Sequence, residues 1–440
     1  MKRTLSLSIF LILYLTSSAQ LYQEYLLSDW TFKSTASKYW LPAEVPGTSV
    51  DDLLLNGKTS INTADTAWQY RTTFIADKQV MSRDFVELLF EGLDTRATVY
   101  LNQDQILVAD NMFRSWSVPI KPFLKEGENE LRIEFEADDY EPSLRKAFYH
   151  FDSNISIVPV GVWKPVILES WNGYKLDGVS YNVDKIVDKE AHITASVDII
   201  TSQEMPVDIE IFDEISGRTF VRKKAVVDPT GKQINIPFVI KKPKLWWPKS
   251  LGKPNLYKIG IRTKAGNNEQ TLAKRIGIRT IEIDSLSNRE HVTATVNGKR
   301  VVAKKSDYIP FVLNVSSQSA ADYEGVFNIV ESLGSTMIHI LNTGVYESDY
   351  FYDLADVAGM LIFQDFMFPA AAYPKSENFL ENVKEEAEEN VKSLQHHPSI
   401  VVWGGVPYES GNDKESTMQM NQVLEETLKE TSSSYKLITE

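Results

Sequence analysis

The fold is decided by the stretch Ser399-Ile400-Val401-Val402-Trp403-Gly404-Gly405-Val406-Pro407-Tyr408-Glu409. The four apolar residues that follow Ser399 form a short uninterrupted run, which is typical of a strand buried on both faces. Apolar residues at helical spacing precede this run, and they predict a long amphipathic helix. They are Phe379, Leu380, Val383, Ala387, Val391 and Leu394. A helix that leads into a buried strand is one unit of an alternating series, which favours a parallel sheet.

The same alternation continues upstream of this stretch. Residues 335–341 and 360–363 are further apolar runs that predict buried strands. A helix ending near Gly334 precedes the first of these strands, and a helix between Ser348 and Gly359 precedes the second. Residues 286–440 are therefore predicted to form about four βα units.

Residues 20–171 and 172–285 each predict a β-rich unit. In the first unit, partly alternating runs such as Phe85-Val86-Glu87-Leu88-Leu89-Phe90 are separated by turn residues, which favours a jelly-roll sandwich. In the second unit, residues 192–200 alternate with period two, and a length of roughly 110 residues suits an immunoglobulin-like sandwich. The predicted fold class is multidomain β plus α/β.

Composition and charge exclude several classes of partner and site. The 440 residues carry a formal net charge of −14, whereas a nucleic-acid partner requires an excess of Lys and Arg. Cysteine is absent, which excludes thiol catalysis and Cys-ligated zinc. We expect no cofactor and no metal, and we predict that His396-His397-Pro398 fixes a helix-to-strand corner. The acidic run Glu385-Glu386-Ala387-Glu388-Glu389 is expected on a solvated helix face.

The N-terminus carries an export signal. Lys2-Arg3 precede an apolar run from Leu5 to Leu15, and Ser17-Ser18-Ala19 offers small residues for cleavage. This pattern is typical of a signal peptide over residues 1–19, so that Gln20 would begin the mature chain. The alternative is an anchoring N-terminal helix, but no stretch reaches the ~20 apolar residues of a membrane span. We predict export to a periplasm or to the extracellular medium.

Two sandwiches followed by βα units form the domain order of glycoside hydrolase family 2, and the motifs resemble its β-mannosidase branch. The matching segments include Val45-Pro46-Gly47-Thr48, Trp68-Gln69-Tyr70-Arg71, Asp110-Asn111-Met112-Phe113-Arg114, Gly161-Val162-Trp163-Lys164-Pro165, Trp246-Trp247-Pro248, Gln364-Asp365-Phe366-Met367-Phe368 and His396-His397-Pro398-Ser399. The resemblance implies a sugar-binding-like first domain and makes residues 286–440 the N-terminal half of a TIM-barrel catalytic domain. The activity it implies is hydrolysis of terminal β-mannosides.

The resemblance also locates the catalytic positions, and they have changed. Retaining glycosidases use two carboxyl groups about 5 Å apart, one of them an acid with a raised pKa. Alignment through Trp403 puts Pro407 at the family's Asn and Tyr408 at its acid/base Glu; a phenol with a pKa near ~10 is a poor substitute. Glu409 is the fallback, but one residue later on an extended segment points to the opposite face unless a bulge intervenes. The family's nucleophile falls beyond residue 440, so we predict a catalytically impaired chain.

The resemblance implies substrate contacts at five further positions, which are Trp403, Asp365, Asp152, His339 and Asn342. The family's Arg-Val-Trp-Gly-Gly-Gly segment stands here as His339-Ile340-Leu341-Asn342-Thr343-Gly344, without the guanidinium and the indole. Asp152 belongs to a segment that replaces aromatic residues of the family. These departures fall in the predicted sugar pocket, whereas the framework motifs are kept. We therefore expect a fold retained without its chemistry, or with a different ligand.

Three functions remain open. The first is an impaired, exported β-mannosidase relative that binds a β-mannoside or another glycan. The second is a working glycosidase that uses Glu409 and a carboxylate from another chain, and the third is a scaffold that binds proteins through its sandwiches. A half barrel leaves open sheet edges, so each predicts a homo-oligomer or a covering partner. A truncated gene sequence would explain the missing half but not Tyr408, and we do not expect Tyr408→Glu alone to restore turnover.

Overall fold

The computed structural model describes residues 21–58, 63, 66–137, 159–288, 290–310, 316, 318–369, 371, 373–407, 414–432, 435 and 437–438. The predicted signal peptide (residues 1–19), Asp152, Tyr408 and Glu409 lie outside the described residues. None of the helices in the described ranges is both long and apolar enough to cross a membrane. The predicted fold class is confirmed: two β-sandwiches precede a curled, partly parallel sheet with helices on one side.

The first domain is a sandwich of a four-stranded and a six-stranded sheet. Its elements are β1 (Leu21–Tyr25), β2 (Thr31–Ser34), β3 (Leu41–Pro42), α1 (Ser49–Leu55), β4 (Trp68–Ala76), α2 (Lys78–Met81), β5 (Phe85–Phe90), β6 (Ala97–Leu101), β7 (Asp104–Ala109), β8 (Trp116–Pro119), a 3₁₀ turn (Lys121–Phe123), β9 (Gly127–Phe135) and β10 (Val166–Trp171). The sheet orders are β1-β10-β5-β8 and β3-β2-β4-β9-β6-β7. Strand β4 buries every second residue, because alternate side chains of a strand point to opposite faces.

The second domain is a smaller sandwich of a three-stranded and a four-stranded sheet. Its strands are β11 (Tyr174–Val187), β12 (Glu190–Thr201), β13 (Met205–Asp213), β14 (Thr219–Val227), β15 (Ile234–Lys241), β16 (Tyr257–Ala265) and β17 (Asn268–Ile276). The sheet orders are β11-β12-β15 and β14-β13-β16-β17. Strand β12 alternates between buried and half-buried residues along its whole length, as the period-two pattern predicts.

The third domain is a seven-stranded sheet whose later strands alternate with helices. Its elements are β18 (Ile281–Asn288), β19 (His291–Val296), β20 (Lys299–Tyr308), α3 (Ala320–Ser332), β21 (Met337–Ile340), α4 (Asp349–Ala358), β22 (Leu361–Asp365), α5 (Glu377–Leu394), β23 (Ile400–Gly404), α6 (Lys414–Thr431) and β24 (Leu437–Ile438). The strands lie in chain order; β18 to β20 are antiparallel and β20 to β24 are parallel.

The two faces of this sheet bury different apolar clusters. The outer face packs against the helices, and Trp403 and Phe351 belong to its cluster. The inner face carries a second cluster that includes Met337, Phe363 and Val402. Because barrel sites form at the carboxyl ends of the strands, a substrate pocket is expected on the inner face.

The corner between α5 and β23 is fixed from two sides. His397 Nδ1 lies 2.7 Å from Asp356 Oδ2, and both side chains are fully buried. From the second domain, Arg279 donates to the carbonyl oxygens of Pro398 and Ile400, at 2.6 Å and 2.5 Å. These contacts agree with the prediction that this histidine pair fixes a corner.

Part of the acidic run of α5 packs against the first domain. Asn111 Nδ2 donates to Glu386 Oε2 at 2.9 Å, and Glu386 is fully buried. Arg114 forms ion pairs with Glu385 and with Glu389. The prediction of a solvated face is therefore wrong for Glu386, whereas the side chains of Glu385, Glu388 and Glu389 are 44%, 40% and 37% exposed. The error arises because the periodicity of one helix cannot reveal which distant domain covers its polar side.

Candidate functional site

Charged side chains gather on the inner face at the carboxyl ends of β20, β21 and β22. The parallel register sets Asp307 beside His339, and His339 beside Phe363. One strand further along, Asp365 lies beside Gly404. We call the group Lys305, Asp307, His339 and Asp365 the carboxyl-edge site. This is where the loops of a barrel build a substrate pocket.

His339 is the centre of the carboxyl-edge site. Its Nδ1 atom lies 3.0 Å from Asp307 Oδ1, and its Nε2 atom lies 3.0 Å from Asp365 Oδ1. The ring stacks on Phe363 with centroids 4.1 Å apart. The second oxygen of Asp365 accepts a hydrogen bond from the backbone N–H of Asn342 at 3.0 Å. The imidazole thus bridges two carboxylates. Asp307 and Asp365 lie at the ends of β20 and β22, the two strands on either side of the strand that carries His339.

Lys305 and Asp307 complete the site, although neither is among the substrate contacts predicted from the sequence. Lys305 Nζ lies 3.1 Å from His339 Nδ1, and the lysine side chain is only 5% exposed. Asp307 is the open member of the group, with a side chain that is 58% exposed. The sequence did carry a signal for them. Lys305 and Asp307 follow the buried Ala303 at alternate positions of one strand, and alternate positions share a face, so both side chains point to the same side as Ala303.

The charges of the site stabilise one another. Burial disfavours the imidazolium, but the carboxylates of Asp307 and Asp365 outweigh it, so the pKa of His339 is raised above its ordinary value. The hydrogen bond from His339 lowers the pKa of Asp307. At neutral pH Asp307 is therefore ionised, and its carboxylate favours the protonated form of His339, whereas the ammonium of Lys305 opposes it.

The other predicted site residues lie in different places. The structure brings Asp365 and His339 together and adds the backbone of Asn342, as described above. Trp403 is fully buried on the outer face, where it stacks on Phe366 with centroids 4.7 Å apart, so its indole presents no surface to a sugar. Asp152, Tyr408 and Glu409 lie outside the described residues, and their roles stay predictions.

The geometry of the carboxyl-edge site favours binding over acid catalysis. A retaining glycosidase needs two carboxyl groups that face one glycosidic bond, one of them protonated. Here the ring of His339 stands between Asp307 and Asp365, and the lowered pKa of Asp307 is the opposite of what a general acid requires. Sugar hydroxyls could still donate to the exposed oxygens of Asp307.

A carboxyl group with a raised pKa does lie nearby, but on the other side of the sheet. Burial raises the pKa of Glu347 to about 7, although hydrogen bonds from the Tyr323 and Tyr308 hydroxyls oppose the change. Glu347 follows β21, and its Oε2 atom accepts a hydrogen bond from Tyr323 of α3 at 2.8 Å. It therefore faces the helices and cannot serve a substrate at the carboxyl-edge site.

One group of side chains could be mistaken for a metal site. Asp353, Asp356 and His397 have potential ligand atoms that all lie within 4.8 Å of one another. However, Asp353 forms an ion pair with Arg275. Asp356 accepts from the Ser399 backbone N–H at 3.0 Å and contacts His397. Since each group already has a protein partner, we interpret this cluster as part of the α5–β23 corner.

The raised pKa of His339 predicts a pH-dependent contribution to stability. The unfolded imidazole has a pKa of about 6.5. A folded pKa above that value stabilises the fold fully below about pH 6.5, and the contribution is lost as the pH rises through the folded pKa. We expect the stability difference between the wild-type chain and His339→Gln, measured by urea unfolding, to be larger at about pH 5.5 than at about pH 9. An equal difference at both pH values would contradict the imidazolium bridge.

Comparison with known proteins supports the family that the motifs suggest. The model of the "glycosyl hydrolase 2 galactose-binding domain-like" family matches residues 30–164, and that of "glycosyl hydrolases family 2" matches residues 176–279. Beta-mannosidase B of Thermothelomyces thermophilus is 34% identical over 371 residues, which cover 77% of this chain and 42% of the relative. Beta-mannosidase B of Aspergillus terreus is 29% identical over 451 residues, which cover 92% of this chain and 52% of the relative.

A solved structure extends the likeness into the third domain. The crystal structure of beta-D-mannosidase from Dictyoglomus thermophilum superposes with a TM-score of 0.85 at 28% identity, and it covers 95% of this chain and 57% of that one. The chain spans about half the length of the curated relatives it matches. On the matched domains, the curated relatives and this superposition together, the chain belongs to glycoside hydrolase family 2 and is β-mannosidase-like.

Proposed function

We propose that this chain binds the terminal sugar of a β-mannoside at the carboxyl-edge site and does not hydrolyse it. The observation that carries the proposal is the contact of His339 with both Asp307 and Asp365, at 3.0 Å each. Both ring nitrogens of His339 already face a carboxylate, so hydroxyl groups of a ligand would donate to the remaining carboxylate oxygens of Asp307. The site does not offer the protonated acid and free nucleophile that retaining hydrolysis needs. The substrate class comes from the relatives, which are named beta-mannosidases.

The exposure of the four side chains supports a binding role. Lys305, His339 and Asp365 have side chains that are 8% exposed or less, so they form a fixed base. The side chain of Asp307, in contrast, is 58% exposed to solvent. Carboxylates accept hydrogen bonds from hydroxyl pairs, and a preorganised acceptor loses little freedom when a ligand binds. Asp307 is therefore the group that we expect to meet the sugar first.

The segment after β23 supports the predicted loss of acid catalysis. The backbone N–H of Val406 donates to Asn421 Oδ1 at 2.8 Å, and Asn421 Nδ2 donates to the Val406 carbonyl at 3.0 Å. This clamp from α6 fixes the chain directly before Pro407 and Tyr408. If the family alignment holds there, a phenol occupies the acid/base position, and its pKa near ~10 is far above that of a carboxylic acid.

Hydrolysis of an aryl β-mannoside tests the catalytic half of the proposal. We expect the purified chain to release no chromophore above the rate of a buffer control, and the same result for Glu409→Gln. Release by the wild-type chain that is lost in Glu409→Gln would contradict the proposal and favour a working glycosidase with a relocated acid. Release by both proteins would contradict it as well and would require an acid other than Glu409.

Export and assembly are further parts of the proposal. The basic, apolar and small-residue segments of residues 1–19 support export. Strand β24, Leu437–Ile438, lies at the edge of the parallel sheet, and the backbone groups of a sheet edge are able to pair with another chain. A homo-oligomer or a partner at this edge would cover the half barrel.

A further inference from the structure

A second polar cleft lies between the first domain and the helix side of the third domain. It encloses about 500 Å³, which is within the range of about 300–1,000 Å³ that small-molecule sites occupy. Its walls come from β5, the segment before β10, α3, the loop after β21, and α5. The lining residues that matter here are Glu91, Trp163, Lys164, Tyr323, Glu347 and Asn390. The carboxyl-edge site lies on the opposite face of the sheet, so the two are separate.

Three charged groups line this cleft, and each has a polar atom that no described residue hydrogen-bonds. Glu347 is 7% exposed; its Oε2 atom is bonded to Tyr323, but its Oε1 atom accepts no hydrogen bond from any described residue. The ammonium of Lys164 lies 4.7 Å from the ring centroid of Trp163 and forms no ion pair with the described part of the chain. The carboxylate of Glu91 likewise has no hydrogen-bond partner within the described ranges. Buried polar groups are normally satisfied, so this cluster needs an explanation.

The charges influence one another without touching. Burial lowers the pKa of Lys164, and the nearby carboxylate of Glu91 opposes that change. Burial also raises the pKa of Glu91, and the ammonium of Lys164 opposes it. The two groups are therefore close enough to interact across a gap that neither side chain closes. Such a gap is the place for a hydroxyl group that donates to one partner and accepts from the other.

The walls of the cleft keep the gap open. The indole N–H of Trp163 donates to the Met112 carbonyl at 2.9 Å. The indole also packs tightly against Gly92, because a Cβ atom on Gly92 would lie 2.5 Å from Trp163 Nε1. On the other wall, Asn390 Nδ2 donates to the Phe113 carbonyl at 3.1 Å. Both walls are therefore tied to the adjacent residues Met112 and Phe113, which hold them on either side of the cleft.

We propose that this cleft is a second binding site, independent of the carboxyl-edge site, for a neutral polyhydroxylated ligand of mono- or disaccharide size. The ammonium of Lys164 and the carboxyl groups of Glu91 and Glu347 supply donors and acceptors for hydroxyl groups. With Asp349, the carboxyl groups of the lining outnumber the one ammonium, which disfavours anionic ligands. Tyr323 and Trp163 supply aromatic surface in the same walls. The proposal rests on this geometry and does not depend on the function proposed for the carboxyl-edge site.

Hydrogen exchange of the full chain with β-1,4-mannobiose as the probe tests the cleft directly. Residues 162–165 report on the cleft, and residues 361–366 report on the carboxyl-edge site. We expect saturating mannobiose to protect both segments in the wild-type chain. Lys164→Met, which keeps the side-chain length, should lose protection of 162–165 and keep that of 361–366. His339→Gln should give the reverse pattern. Glu91→Gln serves as a second cleft variant, with the same expected loss, in case Lys164→Met fails to fold.

Each outcome separates the two proposals. Protection of 361–366 alone in the wild-type chain would overturn the second site and leave the carboxyl-edge site standing. Protection of 162–165 alone would support the cleft and contradict the carboxyl-edge site. Protection of neither segment would overturn both. Titration should also show at least about tenfold weaker cleft binding in Lys164→Met, because tenfold corresponds to the loss of one good hydrogen bond to a charged group.

Discussion

Replacing Gly404 with alanine should strongly weaken glycan binding at the carboxyl-edge site and destabilise the third domain. A Cβ atom at residue 404 would lie 1.8 Å from Asp365 Oδ1. Asp365 cannot withdraw, because His339 holds one of its oxygens and the Asn342 backbone holds the other, each at 3.0 Å. Overpacking in such a place costs about 1–3 kcal/mol, and the displaced carboxylate breaks the bridge to His339. We expect mannobiose binding at this site to weaken at least about tenfold, by calorimetric titration, with a lower urea midpoint.

A glycine elsewhere in the same domain provides the matched control. Gly325 lies inside α3, and a Cβ atom there would have no neighbour within 4 Å. Gly325→Ala should stabilise the chain by about 0.5–1 kcal/mol, because alanine loses less conformational entropy in a helix. Its binding should equal that of the wild-type chain. If Gly404→Ala bound mannobiose as the wild-type chain does, the carboxyl-edge site would be wrong.

Replacing Arg279 with methionine should cause a large loss of stability. Arg279 is 7% exposed, and its guanidinium donates to the Pro398 and Ile400 carbonyls. These bonds link the second domain to the start of β23. Methionine keeps much of the volume but leaves two buried acceptors without partners. Each such acceptor costs about 1–3 kcal/mol, so we expect a loss of about 3 kcal/mol or more in the free energy of unfolding. Urea unfolding followed by tryptophan fluorescence measures it.

Arg222 is the control for Arg279 within the same domain. Its side chain is 74% exposed and pairs with Glu210 on the sheet surface. Exposed ion pairs contribute little, so Arg222→Met should change the free energy of unfolding by about 0.5 kcal/mol or less. Equal effects of the two substitutions would mean that the α5–β23 corner does not depend on Arg279.

Much of the architecture follows from sequence patterns that act locally. Helix α4 begins after Ser348 and ends at Gly359, which has φ 67°, a left-handed conformation that glycine adopts without strain. The apolar run after Ser399 forms β23, fully buried as predicted. Packing between distant segments was not predictable in this way. The acidic side of α5 is covered by Asn111 and Arg114, and nothing in the helix pattern identifies them.

The candidate site was predictable in part. His339 and Asp365 follow from the family motifs, but Lys305 and Asp307 join them only through the parallel register of β20 and β21. The predicted substrate contact of Trp403 has no support in the geometry, for a reason that alternation could have revealed. Adjacent residues of a strand point to opposite faces, and Gly404 faces Asp365 on the inner side. Trp403 must therefore face the helices.

The central claim, binding without hydrolysis at the carboxyl-edge site, can be tested in one proton NMR experiment. Saturation transfer to β-1,4-mannobiose reports binding, and the anomeric signals of free mannose in the same sample report hydrolysis. We predict saturation of the mannosyl protons by the wild-type chain, a clear reduction with His339→Gln, and no free mannose after prolonged incubation. Accumulation of mannose, or equal saturation transfer by the wild-type chain and His339→Gln, would contradict the account.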